Sequence, residues 1–157
     1  MRRDAEVLLV NGTSDAAAMR HFPVGASQDS KLEVVVPFTD ASGTLAAMSV
    51  ATQLAQDLDA RINLLALQAV PYGLELTRPA IALGWLEERL RALAAKVAIN
   101  TRVDIILCRD TRWALRQALT PHSLVVIGVK RCWWRTRDQK LAEMLRLDGH
   151  EVISAYL

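Results

Sequence analysis

From Leu32 onward the chain alternates between two kinds of segment, and that alternation constrains the fold more than any other feature. Leu32-Glu33-Val34-Val35-Val36-Pro37 is short, apolar and β-branched, as strands buried on both faces of a parallel sheet are. The polar turn Thr39-Asp40-Ala41-Ser42-Gly43 follows, and either Asp40 or Ser42 can cap a helix running to about Asp59. Met48, Ala51, Ala55 and Leu58 give that helix an apolar face at three- and four-residue spacing. The pattern then repeats. Ile62 to Val70 reads as a strand closed by Pro71-Tyr72-Gly73. A helix from about Pro79 to Ala98 carries Leu83, Leu86, Leu90, Leu93 and Val97 on one stripe, with Pro79 in the first turn, where its missing N–H does no harm. Val103 to Cys108 is a third strand, after which Asp110 or Thr111 caps a short helix bearing Ala114, Leu115, Ala118 and Leu119.

Beyond the turn at Pro121-His122, Ser123-Leu124-Val125-Val126-Ile127-Gly128 is a fourth strand. Thr136-Arg137-Asp138-Gln139 has the spacing of a capping box, in which the hydroxyl and the amide each satisfy the other residue's backbone N–H. Its helix runs to about Asp148 and stops at Gly149, a natural residue beyond a helix end. Glu151 to Leu157 is the last strand. Strands alternating with helices imply right-handed crossovers and an α/β, doubly wound parallel sheet of about five strands, helices on both faces.

A length of 157 residues suits one domain, able to bury roughly 70% of its unfolded surface without covalent staples. The formal net charge is only +2, so average charge gives no ground for nucleic-acid binding. Two cysteines, Cys108 and Cys132, cannot make a disulfide framework, and no Cys/His cluster has zinc-site spacing. Arg2 and Arg3 precede an apolar run, Val7 to Val10, too short for a signal peptide. No apolar stretch approaches the ~20 residues of a membrane span. A cytoplasmic protein that is not transmembrane is expected. Residues 1–30 admit two readings: an extra edge strand at Val7–Val10 with a short helix at Asp15–Phe22, or an arm joined through Gly25–Ser30 to the main domain at 31–157.

The stretch Val34-Val35-Val36-Pro37-Phe38-Thr39-Asp40-Ala41-Ser42 resembles the opening strand and loop of universal stress proteins, with one residue more than usual between proline and aspartate. Cys108-Arg109-Asp110-Thr111 is similar to that family's next signature segment, and Leu124-Val125-Val126-Ile127-Gly128 to its fourth strand. The resemblance implies a sheet order of 3-2-1-4-5, counting from the Leu32 strand, and a homodimer through the C-terminal strand. It also implies a nucleotide-like crevice at Asp40, Ser42, Val70, Cys108, Arg109, Gly128, Lys130 and Arg131, with Asp40 on an adenine base. The family's binding members carry glycines whose backbone N–H groups approach phosphates at a helix N-terminus. Here only Gly128 remains. Arg131 stands at the second glycine and Leu141-Ala142 at the last pair, or, with a shortened loop, Asp138-Gln139. The motif is therefore degenerate, and a carboxylate such as Asp138 near the phosphates would oppose binding unless arginines offset it.

Each candidate has a plainer reading beside the functional one. Asp40 and Ser42 suit a helix cap as well as a ligand contact. His21, His122 and His150 all fall in loop settings, which favours a surface role over catalysis. Glu87, Glu88 and Arg91 form a solvated helix face. No nucleophile–base pair is present, so the expectation is a non-enzyme, at most a slow ATPase. The segment Lys130-Arg131-Cys132-Trp133-Trp134-Arg135-Thr136-Arg137 is unusual. It follows the fourth strand, while Arg109, Arg112, Trp113 and Arg116 follow the third and are expected on the same sheet edge. Either one tryptophan plugs the vacant crevice, or Lys130, Arg131, Trp133, Trp134, Arg135 and Arg137 form an interaction surface for a protein or an anionic surface. Cys132, set among cations, could support a redox role or be a silent loop thiol. The leading functional expectation is a universal-stress-protein-like binding or signalling module with no cofactor. The alternatives are an ATP- or AMP-binding member with an arginine-based phosphate site, and a soluble regulatory partner of a membrane transporter or kinase.

Overall fold

The computed structural model describes residues 7–11, 32–76, 83–97 and 99–157, the first of these segments by its backbone. The helix expected at 15–22, the linker at 25–30, His21 and the helical turn at Pro79 lie outside the described residues. The elements run β1 (Val7–Asn11), β2 (Glu33–Pro37), α1 (Ala41–Asp57), β3 (Arg61–Ala69), α2 (Leu83–Ala94), β4 (Thr101–Cys108), α3 (Thr111–Ala118), β5 (Leu124–Val129), α4 (Arg137–Leu147) and β6 (Glu151–Tyr156). The sheet order is β1-β4-β3-β2-β5-β6. Strands β2 to β6 are parallel to their neighbours and reproduce the expected 3-2-1-4-5 order. β1 adds antiparallel to β4, with Val7 opposite Cys108 and Asn11 opposite Asp104.

The continuous apolar runs are explained by burial on two sides. Val34 and Val36 face one layer with Met48, Ala51 and Ala55 of α1 and Leu86, Leu90 and Leu93 of α2. Val35, Val125 and Ile127 face the other, with Ala114 and Leu115 of α3 and Ala142 and Leu145 of α4. Met48 is fully buried, and truncating such a residue to alanine costs about 2–5 kcal/mol. Leu58 departs from the expected apolar face. Helix α1 ends at Asp57, Leu58 is its cap, and Asp59 turns away with φ 48°, leaving Leu58 48% exposed. The core is aliphatic: all four tryptophans and both tyrosines are at least 37% exposed.

The chain leaves β2 toward β3 and leaves β5 toward β6, on opposite sides of the sheet. The ladder between β2 and β5 is short, Val34 opposite Leu124 and Val35 opposite Val125. The carboxyl ends of these two strands therefore flank the switch-point crevice where open α/β sheets place ligands.

Candidate functional site

Asp40 sits at this crevice as the N-cap of α1, extended at φ −138° and ψ 173°. Its Oδ1 accepts the Gly43 N–H at 2.6 Å and the Ser42 hydroxyl at 2.9 Å. Its Oδ2 meets the Lys130 ammonium, arriving from β5, at 2.7 Å. One carboxylate thus serves as helix cap and crevice residue together. The Lys130 hydrogen bond, helped by the Gly43 N–H, holds the Asp40 carboxyl down at about 2, and the same contact pushes the Lys130 ammonium up. Asp138, in the first turn of α4, is pushed up by burial and then by the charge of Asp40, against the pull of Lys130. Lys130 therefore lies within electrostatic reach of two carboxylates.

The two helix N-termini at the crevice are already satisfied from within the chain. Asp40 caps α1. At α4 the capping box forms as expected: the Gln139 N–H donates to Thr136 Oγ1 at 3.2 Å and the Thr136 N–H to Gln139 Oε1 at 3.0 Å. Asp138 adds a negative charge where the helix dipole favours one. Gly128 has a packing role that its sequence position hides. A Cβ there would lie 1.9 Å from the Gly43 carbonyl oxygen, so glycine lets the first turn of α1 press against β5. The chain matches no family model and no curated protein.

The remaining predicted crevice residues are distributed as follows. Val70 is buried, its N–H bonded to the Cys108 carbonyl at 2.8 Å. Cys108 is buried in the layer beneath α3. Its thiol donates to the Gln68 carbonyl at 3.8 Å, and burial, then Asp110, pushes its pKa up to about 11. Arg109 clamps the loop after β3, donating to Val70 O at 3.0 Å, Leu74 O at 2.8 Å and the Pro71 carbonyl. Its guanidinium also stacks 5.5 Å from the Tyr72 ring. Arg116 does not join this edge; α3 carries it toward the opposite end of the sheet, where it pairs with Asp148 at 2.6 Å.

Of the two readings of the tryptophan pair, the structure excludes the plug. Trp133 is 94% and Trp134 78% exposed, both projecting from a bend between β5 and α4. The Lys130–Asp40 pair and the α1 turn against Gly128 stand at the crevice mouth instead. Arg131 instead stacks on Tyr156 at 5.2 Å, and Arg135 pairs with Glu143. Arg137 is the first residue of α4.

Sequence reasoning missed Gly43, read only as part of a turn, and a polar cluster toward the amino end of the strands. There the Asn63 amide donates to Asp104 Oδ2 at 3.1 Å and Arg102 Nε donates to Asp104 Oδ1 at 3.0 Å. Asp104 is fully buried, and burial pushes the nearby Glu33 carboxyl up, opposed first by Arg102. The signal was there in a carboxylate interrupting an apolar strand. An open groove of 590 Å³ beside it is lined by Arg91, Val97, Thr101 and Arg102. His150, expected in a loop, is half-buried with Nδ1 unpartnered among the described residues, and burial lowers its pKa. Among the described residues, no group of three or more His, Cys, Asp or Glu side chains is placed to hold a metal.

Proposed function

We propose that this chain is a non-catalytic binding module of universal-stress-protein type, with its nucleotide crevice closed by its own side chains. It works in the cytoplasm, in a stress response, through what it binds. The Lys130–Asp40 ion pair at 2.7 Å across the switch point carries this reading. A nucleotide entering there would have to displace that pair and find space beside Asp138, whose charge opposes phosphate. Both cysteines are free, one of them exposed, which suits a reducing compartment. The same reading includes a homodimer through β6, an outer strand of the sheet. Unpaired edge groups invite a second copy, and a two-fold axis would pair both edges at once.

One observation favours a second reading, an arginine-based nucleotide site. Thr39 Oγ1, near Gly43, is buried with no hydrogen-bond partner among the described residues and could meet a ligand hydroxyl. Calorimetry decides between them. Titration with magnesium-ATP, ADP and AMP is expected to show nothing tighter than roughly 100 μM, about −5.5 kcal/mol, and the denatured protein is expected to release no adenine nucleotide. Submicromolar binding of magnesium-ATP overturns the first reading in favour of the second.

A further inference from the structure

Large aromatic side chains ordinarily supply much of a core's buried area, yet this chain places every tryptophan and tyrosine at its surface. Their distribution is uneven. Tyr72 follows β3, Trp113 lies in the first turn of α3 after β4, Trp133 and Trp134 follow β5, and Tyr156 is the last residue of β6. These strands are parallel, so five of the six exposed rings share the carboxyl edge of the sheet; Trp85, on α2, is the sixth. From β4 to β6 that edge is about 19 Å wide at the usual strand spacing. Apolar surface gathered in this way on a folded domain marks a contact site.

Cations accompany the rings. Arg109 stacks on Tyr72 and Arg131 on Tyr156. The segment from Lys130 to Arg137 holds four cations and no carboxylate. Two of the four are engaged, Lys130 with Asp40 and Arg135 with Glu143, while Arg131 is held by a ring and retains its hydrogen-bonding fork.

The arrangement discriminates between a protein and a bilayer as the occupant. Protein hot spots cluster at the centre of an interface and seat an anchor in a pocket. Here the rings are strung along an edge, and the two most exposed stand side by side on a bend with almost no neighbours of their own. A bilayer surface accepts such a line. Tryptophan and tyrosine settle at headgroup level, where one part of the ring is apolar and the other wet, and arginines are drawn to anionic lipid. Among the described residues no helix is long and apolar enough to cross a membrane, so the contact is one of surface and loop.

The geometry points to the carboxyl edge of the sheet as a peripheral docking surface for an anionic lipid bilayer, with Trp133 and Trp134 inserting and Arg131 and Arg137 meeting headgroups. This names the partner of the binding module proposed above and rests on that reading.

The test is co-sedimentation of the full chain with vesicles of phosphatidylcholine alone or mixed with phosphatidylserine. Tryptophan quenching by brominated lipid reports insertion. Wild type is expected to bind the mixed vesicles, to release them at high salt and to be quenched. The Trp133→Ala/Trp134→Ala variant is expected to bind at least about tenfold more weakly, since it removes both inserting rings. Arg131→Gln/Arg137→Gln is expected to lose roughly fivefold per charge. Melting temperature is read on every variant. The second pair keeps the test decisive should the first lower stability. Failure of wild type to sediment, equal binding to neutral vesicles, or unchanged binding by both variants overturns the assignment. A protein partner captured through Trp133 and Trp134 without vesicle binding overturns the lipid assignment and leaves the binding-module reading standing. Tight magnesium-ATP binding with vesicle binding intact does the reverse.

Discussion

Gly128→Ala tests whether the contact between α1 and β5 organises the crevice. The added methyl would meet Gly43 O at 1.9 Å, Gly43 C at 2.3 Å and Gly43 Cα at 2.6 Å. These are backbone atoms, so no side-chain rotation relieves the clash. Bringing 1.9 Å out to ordinary contact at 3.4 Å moves the first turn of α1 by about 1.5 Å. That turn carries Asp40, so the shift also strains its 2.7 Å pair with Lys130. Overpacking of this kind costs about 3 kcal/mol, at the upper end of its usual range because the obstacle is rigid. For a domain of this size the loss lowers Tm by about 6–12 °C. Gly43→Ala gives an intermediate case, since its methyl meets the side-chain oxygens of Thr39 at 3.0 Å and Asp40 at 3.2 Å. Gly73→Ala is the control, with nothing within 4 Å. Thermal melts followed by circular dichroism should rank the three as 128, then 43, then 73. A Gly128→Ala protein that melts with wild type refutes the close approach and the account of the crevice built on it.

Two further outcomes follow from the same geometry. Asp40 has a folded pKa of about 2, below its ordinary 3.8, so the stability its charge contributes is present above pH 3.8 and is lost as pH falls through 3.8 toward 2. Asp40→Asn retains an oxygen for the cap, and the difference in Tm between it and wild type should be constant from neutral pH to about pH 4 and close near pH 2; a difference that persists at pH 2 would assign it to the cap instead. Light scattering should give the mass of a dimer, and removal of the β6 residues after Glu151 should abolish it; a monomer at micromolar concentration counts against pairing through β6.

The fold was legible from Leu32 onward because a strand buried on both faces is recognisable without its partners. Val34, Val35 and Val36 leave no polar position for a solvent-facing side, and Val125, Val126 and Ile127 repeat the case. The caps were equally local: Asp40, Asp110 and Thr136 act on backbone two or three residues away. The strand order came from family resemblance, because alternation determines handedness and says nothing about which strand lies beside which. Leu58 was misassigned for a related reason. Periodicity extends a helix face as far as the apolar residues run, whereas the helix itself ends where Asp59 takes a positive φ.

The site was harder to read because its decisive contacts are distant in sequence. Lys130 and Asp40 are ninety residues apart, and neither position by itself says that one will neutralise the other. Arg109 and Arg116 both follow the third predicted strand and were expected at one edge. The first turns onto the Pro71–Leu74 loop, while the second, on the descending helix, reaches Asp148. The tryptophan pair shows the same limit from the other direction. A sequence can say that two large rings need either a cavity or a partner, but the choice depends on whether the cavity is vacant. Here a glycine-to-glycine contact and an ammonium–carboxylate pair stand at the crevice mouth. Both rings are left outside, so the loop beside the switch-point crevice has apolar surface to offer.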